Sequence, residues 1–302
     1  MRAASEAAVY TALIFCGLFS LCTTGAIIAV LTVETIEFFR LPEVTVVDFL
    51  TGLKWSPLLG TEKHFGIWPL VAGTALVTVI AMGLALPLGL VTAIYLSEYA
   101  RPAVRNVLKP TLEVIAGIPT VVFGYFALTV ITPGLQWFHP GFGVYNAMSA
   151  GLAVGIMCLP IVTSLSEDAL RAVPRSLREG AYGLGGTRLE VSTRVVLPAA
   201  LSGIIAAFLL AIARAIGETM IVALAAGSAP LQLRERPLSA LDPRSEVQPM
   251  TGYMVQIFLG DTSNFGVEYR SSYAVAAALF VLTFALTIIG HRVRVRFRQA
   301  YE

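Results

Sequence analysis

Long apolar runs separated by polar connections make up most of the 302-residue chain. A helix needs about 20 mostly apolar residues to cross a bilayer, and six segments meet or approach that length. The pattern therefore predicts an all-α, polytopic membrane protein with six transmembrane helices. The predicted spans are residues 10–33, 68–96, 107–132, 145–165, 195–227 and 273–290.

The composition agrees with this class of protein. Hydrophobic residues make up 56% of the chain and charged residues only 13%, whereas about a quarter of a soluble domain is charged. The net charge of +2 gives no reason to expect a nucleic-acid partner. Cys16, Cys22 and Cys158 lie in apolar runs, where cysteine packs as a small hydrophobe, so no disulfide or metal site is expected.

The distribution of lysine and arginine predicts how the chain is oriented in the membrane, because cytoplasmic connections carry an excess of these residues. With the N-terminus inside, thirteen lie on the cytoplasmic side: Arg2, Arg101, Arg105, Lys109, Arg171, Arg175, Arg178, Arg188, Arg194, Arg292, Arg294, Arg296 and Arg298. Seven lie in the longer outer connections: Arg40, Lys54, Lys63, Arg234, Arg236, Arg244 and Arg270. Both termini are therefore predicted to be cytoplasmic.

Three of the predicted spans contain an internal proline, namely Pro87, Pro119 and Pro160. Each proline removes a backbone donor within a helix and favours a kink. Such kinks fit either an ordinary packed bundle or a set of helices shaped around a pathway. The sequence leaves both interpretations open.

The longest predicted cytoplasmic connection, SEDALRAVPRSLREGAYGLGGTRLEVSTRVVLP, divides into two short helical halves. Pro174 suits the start of the first half, and Gly185 with Gly186 suits a turn. Thr187, followed three residues later by Glu190, predicts a capping box at the start of the second half. A helix-turn-helix is therefore expected on the cytoplasmic face.

This connection resembles the signature of permease subunits of ATP-binding-cassette importers, which reads E-A-A, three residues, G, nine residues, I-x-L-P. The spacing is kept throughout, with Gly180 in place of Ala and Val195 in place of Ile. Gly180 weakens the local helix, because glycine costs about 1 kcal/mol relative to alanine. The resemblance implies a coupling helix that docks on a separate ATPase subunit. The docking residues that it implies are Glu179, Gly180, Ala181, Gly185, Leu197 and Pro198.

ATP hydrolysis is expected on that partner and not on this chain. A phosphate-binding loop needs G-x-x-x-x-G-K-[ST], and none of Lys54, Lys63 and Lys109 follows a glycine. The chain is thus expected to be a transport subunit and not an enzyme. It is expected to bind no cofactor itself, with ATP and magnesium held by the partner ATPase.

Further stretches, among them VIAGIPTVVFGYFAL, ARAIGETMIV and MTGYMVQIFL, are similar to the permeases of phosphate importers. The long first outer loop with LKWSPLLG looks like the PstC type of subunit more than the PstA type. The resemblance covers about residues 49–284 and implies the importer permease fold and a location in the bacterial cytoplasmic (inner) membrane. The partners it implies are a second, PstA-like permease, two ATPase subunits, an extracytoplasmic phosphate-binding protein, phosphate and the lipid bilayer.

Permeases for sulfate or molybdate are an alternative, because they too carry an R-A-x-G-E element, although commonly with Phe where this chain has Thr219. An ion-coupled secondary transporter would also use buried charges, and an intramembrane enzyme would need a nucleophile and a base. The coupling signature disfavours the secondary transporter. The lack of a histidine or a Ser/Lys dyad within the spans disfavours the enzyme.

On this interpretation the chain has three parts. Residues 1–67 form an N-terminal transmembrane helix and an outer loop, residues 68–291 form a five-helix permease core, and residues 292–302 form a basic cytoplasmic tail. Within the core, residues 166–195 are the cytoplasmic coupling loop and residues 228–272 are an outer loop.

The fifth predicted span contains a cation and an anion, Arg214 and Glu218, in the stretch ARAIGETMIV. Each costs about 2.5 to 3.5 kcal/mol at the centre of a membrane helix, while a pair at this spacing returns only about 0.2 to 0.5 kcal/mol. Two interpretations stay open: a buried structural ion pair, or an Arg214 guanidinium that binds a crossing oxyanion and is held by Glu218 when the site is empty. The predicted substrate-pathway residues are Arg214, Glu218 and Thr219.

Overall fold

Helices dominate the computed structural model, which describes residues 2–58, 63–233, 235, 238, 242–260 and 266–296. Arg234, Arg236 and Arg298, counted above among the basic residues of the connections, lie outside this range. The helices are α1 Arg2–Phe39, α2 Val46–Thr51, α3 Trp68–Ile94, α4 Pro102–Ala116, α5 Thr120–Phe126, α6 Thr132–Phe138, α7 Ala147–Arg171, α8 Arg175–Gly183, α9 Arg188–Glu190, α10 Leu197–Ala199, α11 Leu201–Ile216, α12 Met220–Ala225, α13 Met250–Leu259 and α14 Val267–Arg296. Two short strands, β1 Trp55–Ser56 and β2 His64–Phe65, and the π-helical segments Tyr95–Tyr99, Ala127–Ile131 and Val191–Val196 complete the set.

Five helical segments in the described part of the chain are long and apolar enough to cross a membrane, and a sixth span results if one bent pair of helices is counted as a single span. The five are Val9–Phe39, Trp68–Tyr99, Thr120–Phe138, Ala147–Arg171 and Val267–Arg296, and the bent pair is Arg188–Ala199 with Leu201–Ile216. The predicted all-α membrane fold with six spans is confirmed on this count.

The prediction of a single span over residues 107–132 is wrong in its boundaries. Helix α4 ends at Ala116, and a new helix starts at Thr120, so the span covers Thr120–Phe138. Pro119 causes the break because it lacks a backbone N–H and disfavours helical geometry in the residue before it. Pro87 and Pro160, by contrast, lie inside the continuous helices α3 and α7.

The prediction of one continuous helix over residues 195–227 is also wrong. Its two longer parts meet at an angle of 70° around Ala200. Pro198 lies next to this bend, and the π-helical segment Val191–Val196 precedes it, two features that commonly kink helices. A second break follows at Gly217, after which α12 begins at Met220.

Helices α3 and α7 form the centre of the bundle and approach each other closely through glycines on α7. A Cβ atom at Gly155 would lie 2.9 Å from the carbonyl oxygen of Ala81, and one at Gly151 would lie 2.6 Å from the side chain of Ile80. Small residues allow such close packing in membrane bundles, where van der Waals contact replaces the hydrophobic effect as the driving force. Helix α11 packs against the same core through Ala211 and Ala215.

One end of the bundle, here called the hairpin end, carries the two strands. Strand β1 pairs antiparallel with β2, with Trp55 opposite Phe65. Both side chains are buried in an aromatic cluster with Phe38, Phe49 and Tyr253. The ion pairs Lys63–Glu268, at 2.6 Å, and Glu37–Arg270, at 3.2 Å, attach the β-hairpin and α1 to the start of α14.

The opposite end, here called the α8 end, contains a cluster of charges between α4 and α7. The side chain of Glu167 is fully buried, and its carboxylate oxygens lie 2.8 Å from Arg105 Nη2 and 2.8 Å from Lys109 Nζ. Lys109 Nζ also lies 2.7 Å from the half-exposed Asp168. Because α4 buries none of its own residues, these ion pairs are an important part of its attachment to α7.

Candidate functional site

Arg214 and Glu218 lie at the break that divides the fifth span. Arg214 occupies the last turn of α11, Gly217 caps that helix, and Glu218 follows outside any helix. The Nη2 atom of Arg214 lies 3.8 Å from the Oε2 atom of Glu218. The spacing of four residues thus brings the two charges together, although Glu218 is not part of the helix that carries Arg214.

The two side chains differ sharply in exposure. Only 3% of the Glu218 side chain is exposed, whereas 51% of the Arg214 side chain is exposed. Leu210, Arg214 and Gly217 are all exposed and share one face of α11. The pair is thus unevenly exposed: the carboxylate is buried in the bundle, and the guanidinium lies at its surface, near the end of the bent pair of helices that counts as a membrane span.

The Glu218 peptide is held in place by two neighbouring elements. Its Oε1 atom accepts a hydrogen bond from the backbone N–H of Ile221 at 3.5 Å, and its carbonyl oxygen accepts one from the Thr251 hydroxyl at 2.7 Å. Thr251 is buried at the start of α13, a short apolar helix that lies within the predicted outer loop 228–272 and was therefore not expected to contribute to the site. The signal for it was the run MTGYMVQIFL directly after a proline.

Thr219, the third predicted pathway residue, lies beside this pair but uses its hydroxyl locally. The Oγ1 atom donates a hydrogen bond to the carbonyl oxygen of Gly217 at 3.2 Å. A hydroxyl in a membrane helix commonly bonds to nearby backbone in this way. Of the three predicted pathway residues, Arg214 is therefore the one whose donor atoms are exposed. Its ion-pair contact with Glu218 is long, at 3.8 Å.

A second candidate surface is the helix-turn-helix at the α8 end. Helix α8 buries none of its residues, and both Glu179 and Gly180 are exposed. The turn that follows exposes 92% of Leu184. Gly185 has a φ of +86°, a left-handed conformation that other L-residues rarely adopt. The loop thus exposes an apolar side chain, that of Leu184, at a tight turn.

The predicted capping box after this turn is confirmed. The Thr187 hydroxyl accepts a hydrogen bond from the backbone N–H of Glu190 at 3.3 Å, and the Glu190 carboxylate accepts one from the backbone N–H of Thr187 at 3.0 Å. The start of α9 is therefore fixed by local contacts alone.

Arg178 anchors α8 to the bundle. Its guanidinium donates hydrogen bonds to the carbonyl oxygens of Val173, at 2.6 Å, and Leu170, at 2.8 Å, and contacts the largely buried carboxylate of Glu98 at 3.1 Å. Leu170 ends the buried part of α7, and Glu98 lies in the π-helical segment that extends α3. Helix α8 is thus joined to the ends of both central helices.

The remaining predicted docking residues differ in their exposure. Ala181 is partly buried and, like Leu197, packs against the cluster formed by Ala93, Leu170 and Val196. Pro198 is exposed beside the bend of the fifth span. Glu179, Gly180 and Gly185 are thus exposed on α8 and the turn after it, whereas Leu197 and Pro198 lie at the bend of the fifth span.

The described residues contain no cluster of histidine, cysteine, aspartate and glutamate suited to a metal ion. The three cysteines are free thiols, with Cys158 buried and Cys16 and Cys22 exposed on α1.

The sequence matches the model of one known family, the binding-protein-dependent transport system inner membrane component, over residues 85–299. The probable ABC transporter permease protein YqgH of Bacillus subtilis (strain 168) is 31% identical over 91% of this chain and 86% of its own length. A phosphate transport system permease protein PstC from Mesorhizobium japonicum is 34% identical over 82% of this chain and 78% of its own length.

Solved structures show the same fold at low sequence identity. A bacterial alginate ABC transporter, in complex with an alginate pentasaccharide-bound periplasmic protein, gives a TM-score of 0.61 at 15% identity and covers 94% of this chain and 96% of that one. The inward-facing MetNI methionine ABC transporter gives a TM-score of 0.55 at 16% identity over 78% of this chain and 95% of that one. The family match and this fold together establish that the chain belongs to the inner membrane components of binding-protein-dependent transport systems, the permeases of ATP-binding-cassette transporters.

Proposed function

We propose that this chain is a PstC-type permease subunit of an ATP-driven phosphate importer. The observation that carries the proposal is the Arg214 guanidinium, exposed at a break within a membrane span and backed by the buried carboxylate of Glu218. A guanidinium offers a fork of donors that matches two oxygens of a phosphate ion. The PstC relative supports phosphate over sulfate or molybdate as the oxyanion.

The geometry of the Arg214–Glu218 pair suits the passage of a phosphate ion better than its tight binding. A charge-assisted hydrogen bond is typically about 2.7 to 2.9 Å long, and the 3.8 Å separation between Arg214 and Glu218 is longer. The guanidinium is thus oriented by Glu218 without being fully occupied by it, and it can turn to an arriving anion. The same carboxylate repels that anion, which weakens its binding and favours release.

Coupling to ATP is assigned to the loop around α8. Its exposed Leu184 and the exposed face of α8 would dock on an ATPase subunit that holds ATP and magnesium. The α8 end would be cytoplasmic, because most of the lysines and arginines of the connections lie there. Both termini would then be cytoplasmic, and the hairpin end would face an extracytoplasmic phosphate-binding protein.

The rest of the proposed assembly follows from the same scheme. A second, PstA-like permease would complete the pathway opposite Arg214, and two ATPase subunits would bind the two coupling loops. The chain would divide as the sequence indicates, with residues 1–67 before a permease core of residues 68–291 and a basic tail after it. Its coupling loop would fall within residues 166–195 and its long outer loop within residues 228–272.

Uptake measurements test the proposal directly. The chain is expressed together with the other subunits of the proposed transporter in cells that lack other phosphate importers. Uptake of radiolabelled phosphate is then measured. We expect ATP-dependent uptake that excess unlabelled phosphate suppresses and that equal excesses of sulfate or molybdate leave nearly unchanged. Suppression by sulfate or molybdate to the same degree as by phosphate would reject phosphate as the specific substrate.

We predict that Gly185→Glu uncouples transport while the subunit still inserts in the membrane. Glutamate at a φ of +86° is strained, and the added charge lies at the tip of the docking loop. Substrate-stimulated ATP hydrolysis and retention of the ATPase on the purified permease are the measurements. Gly183→Ala, in α8 and outside the predicted docking residues, is the matched control: a Cβ atom there meets open space and alanine favours the helix, so both quantities should stay at wild-type level. Normal coupling in Gly185→Glu contradicts the assignment.

Cysteine labelling tests the orientation. In a variant with Cys16, Cys22 and Cys158 replaced, Arg244→Cys should react with a membrane-impermeant thiol reagent added outside, because residue 244 lies in the outer connection. Arg296→Cys, at the α8 end of α14, should react only after the membrane is permeabilised. The opposite pattern would reverse the proposed topology.

A further inference from the structure

A groove of about 280 Å³ lies between α11 and α14 toward the α8 end of the bundle. Its apolar part is lined by Ala206 and Leu210 on α11 and by Leu286 on α14. The two helices meet at the buried Gly290, where a Cβ atom would lie 2.6 Å from Leu209 Cδ1. The groove is thus a shallow apolar channel that runs along two membrane-spanning helices and has a small residue at its floor.

The α8 end of the groove is basic. His291 and Arg294 line it, and Arg294 Nη2 lies 3.0 Å from His291 Nδ1. Both side chains are exposed, and within the residues that the structure describes no carboxylate forms an ion pair with Arg294. Arg294 is thus placed where the apolar channel ends, with no ion-pair partner among the residues that the structure describes.

The helix register separates Arg294 from the other arginines of this segment. At 3.6 residues per turn, Arg294 lies about 40° from Gly290 around the helix, on the groove side. Arg292 and Arg296 lie about 160° away from Arg294, on the other side of α14. Only Arg294 of the three lines the groove. If these arginines served only to make the C-terminal segment basic, none of them would need to line the groove.

We propose that the groove binds one anionic phospholipid, with an acyl chain between α11 and α14 and the headgroup phosphate on Arg294 and His291. Basic pockets between transmembrane helices suit anionic headgroups, and the apolar channel matches the hydrocarbon chain that continues from them. A soluble anion would contact only the basic end and leave the apolar channel unfilled. A helix from another permease would need to bring its own carboxylate to Arg294.

The site borders the proposed pathway, since α11 carries Arg214 one residue after Ala213, which also lines the groove. The lipid would therefore support the helix on the side away from the α7 core, against which Ala211 packs. This inference concerns binding by the membrane-embedded chain and does not depend on which substrate is transported.

Native mass spectrometry of the purified transporter, delipidated and then given phosphatidylglycerol or phosphatidylcholine, tests the site. We expect one retained phosphatidylglycerol and no comparable retention of phosphatidylcholine. Arg294→Gln should lower phosphatidylglycerol retention by at least about tenfold, because it removes the charge-assisted contact with the headgroup phosphate. Arg296→Gln removes the same charge from the other side of the helix and should lower retention by less than about twofold.

A second variant fills the apolar channel without changing the charge. Ala206→Phe should also displace the retained phosphatidylglycerol, and its elution as an intact complex shows that the fold is kept. Equal effects of Arg294→Gln and Arg296→Gln, retention unchanged in Ala206→Phe, or displacement of the lipid by inorganic phosphate would each overturn the proposal.

Discussion

Arg214→Gln is expected to reduce phosphate uptake by between about tenfold and a hundredfold while the transporter still assembles. A hydrogen bond from a charged group contributes about 1.5 to 3 kcal/mol, and about 1.4 kcal/mol corresponds to a factor of ten. Glutamine keeps much of the length of the side chain and some hydrogen bonding, but it cannot neutralise a crossing anion. Because Arg214 is half exposed, its loss leaves no cavity in the core. Uptake of radiolabelled phosphate, normalised to assembled complex, is the measurement.

The double variant Arg214→Gln with Glu218→Gln separates substrate contact from architecture. If the two charges only balance each other, removing both should restore uptake, because neither is then left unpaired. We expect no recovery, since phosphate would still lack its cation. Arg244→Gln is the matched control, an exposed arginine that contacts Asp242 at the surface and should leave uptake unchanged. Substantial recovery in the double variant would assign Arg214 to structure.

Glu167→Ala is expected to destabilise the protein more than any other single charge removal at the α8 end. The buried carboxylate is paired with Arg105 and Lys109, and breaking such a pair leaves unmatched charges at a cost of about 3 to 5 kcal/mol. Burial lowers the pKa of Lys109, but hydrogen bonds to Asp168 and Glu167 more than offset this, so the pKa is raised and the amine stays charged. Helix α4 should then separate from α7.

Thermal unfolding and limited trypsin digestion after Arg105 in α4 measure this effect. Asp168→Asn is the control, because its half-exposed carboxylate shares Lys109 but sits in water, where an ion pair contributes only about 0 to 1 kcal/mol. We expect a clear loss of thermal stability and faster cleavage for Glu167→Ala only. Similar behaviour of both variants would show that burial of Glu167 does not govern the attachment of α4.

The sequence predicts the features of this fold that are encoded locally. Apolar runs identify the spans, because hydropathy adds up along a segment whatever its direction. The Thr187–Glu190 box is equally local, since four consecutive residues contain all its donors and acceptors. The summed hydropathy does not reveal the helix breaks at Pro119, Ala200 and Gly217, because a segment has the same hydropathy whether it is straight or bent.

The sequence predicts which residues form the candidate site, but it does not predict how exposed each of them is. Spacing alone places Arg214 near Glu218, and the cost of burying charge singles them out. Their unequal exposure depends on which helices cover Glu218, and that involves Thr251, thirty-three residues further along the chain. The charge cluster around Glu167 escaped prediction for the same reason, because its cations come from α4, fifty-eight residues before it in the case of Lys109.

The three contacts of Arg178 join α8 to the end of α7, so the two helices are expected to move together. Helix α7 has 25 residues and is about 37 Å long at 1.5 Å per residue. Because Arg178 binds the carbonyl oxygens of Leu170 and Val173, a displacement of α8 by a docked ATPase would be passed on to the end of α7. A tilt of about 5° produced there would shift the far end of α7 by about 3 Å. That far end begins at Asn146, whose backbone N–H donates to the carbonyl oxygen of Ala225 in α12, so the displacement reaches the helix that follows Glu218.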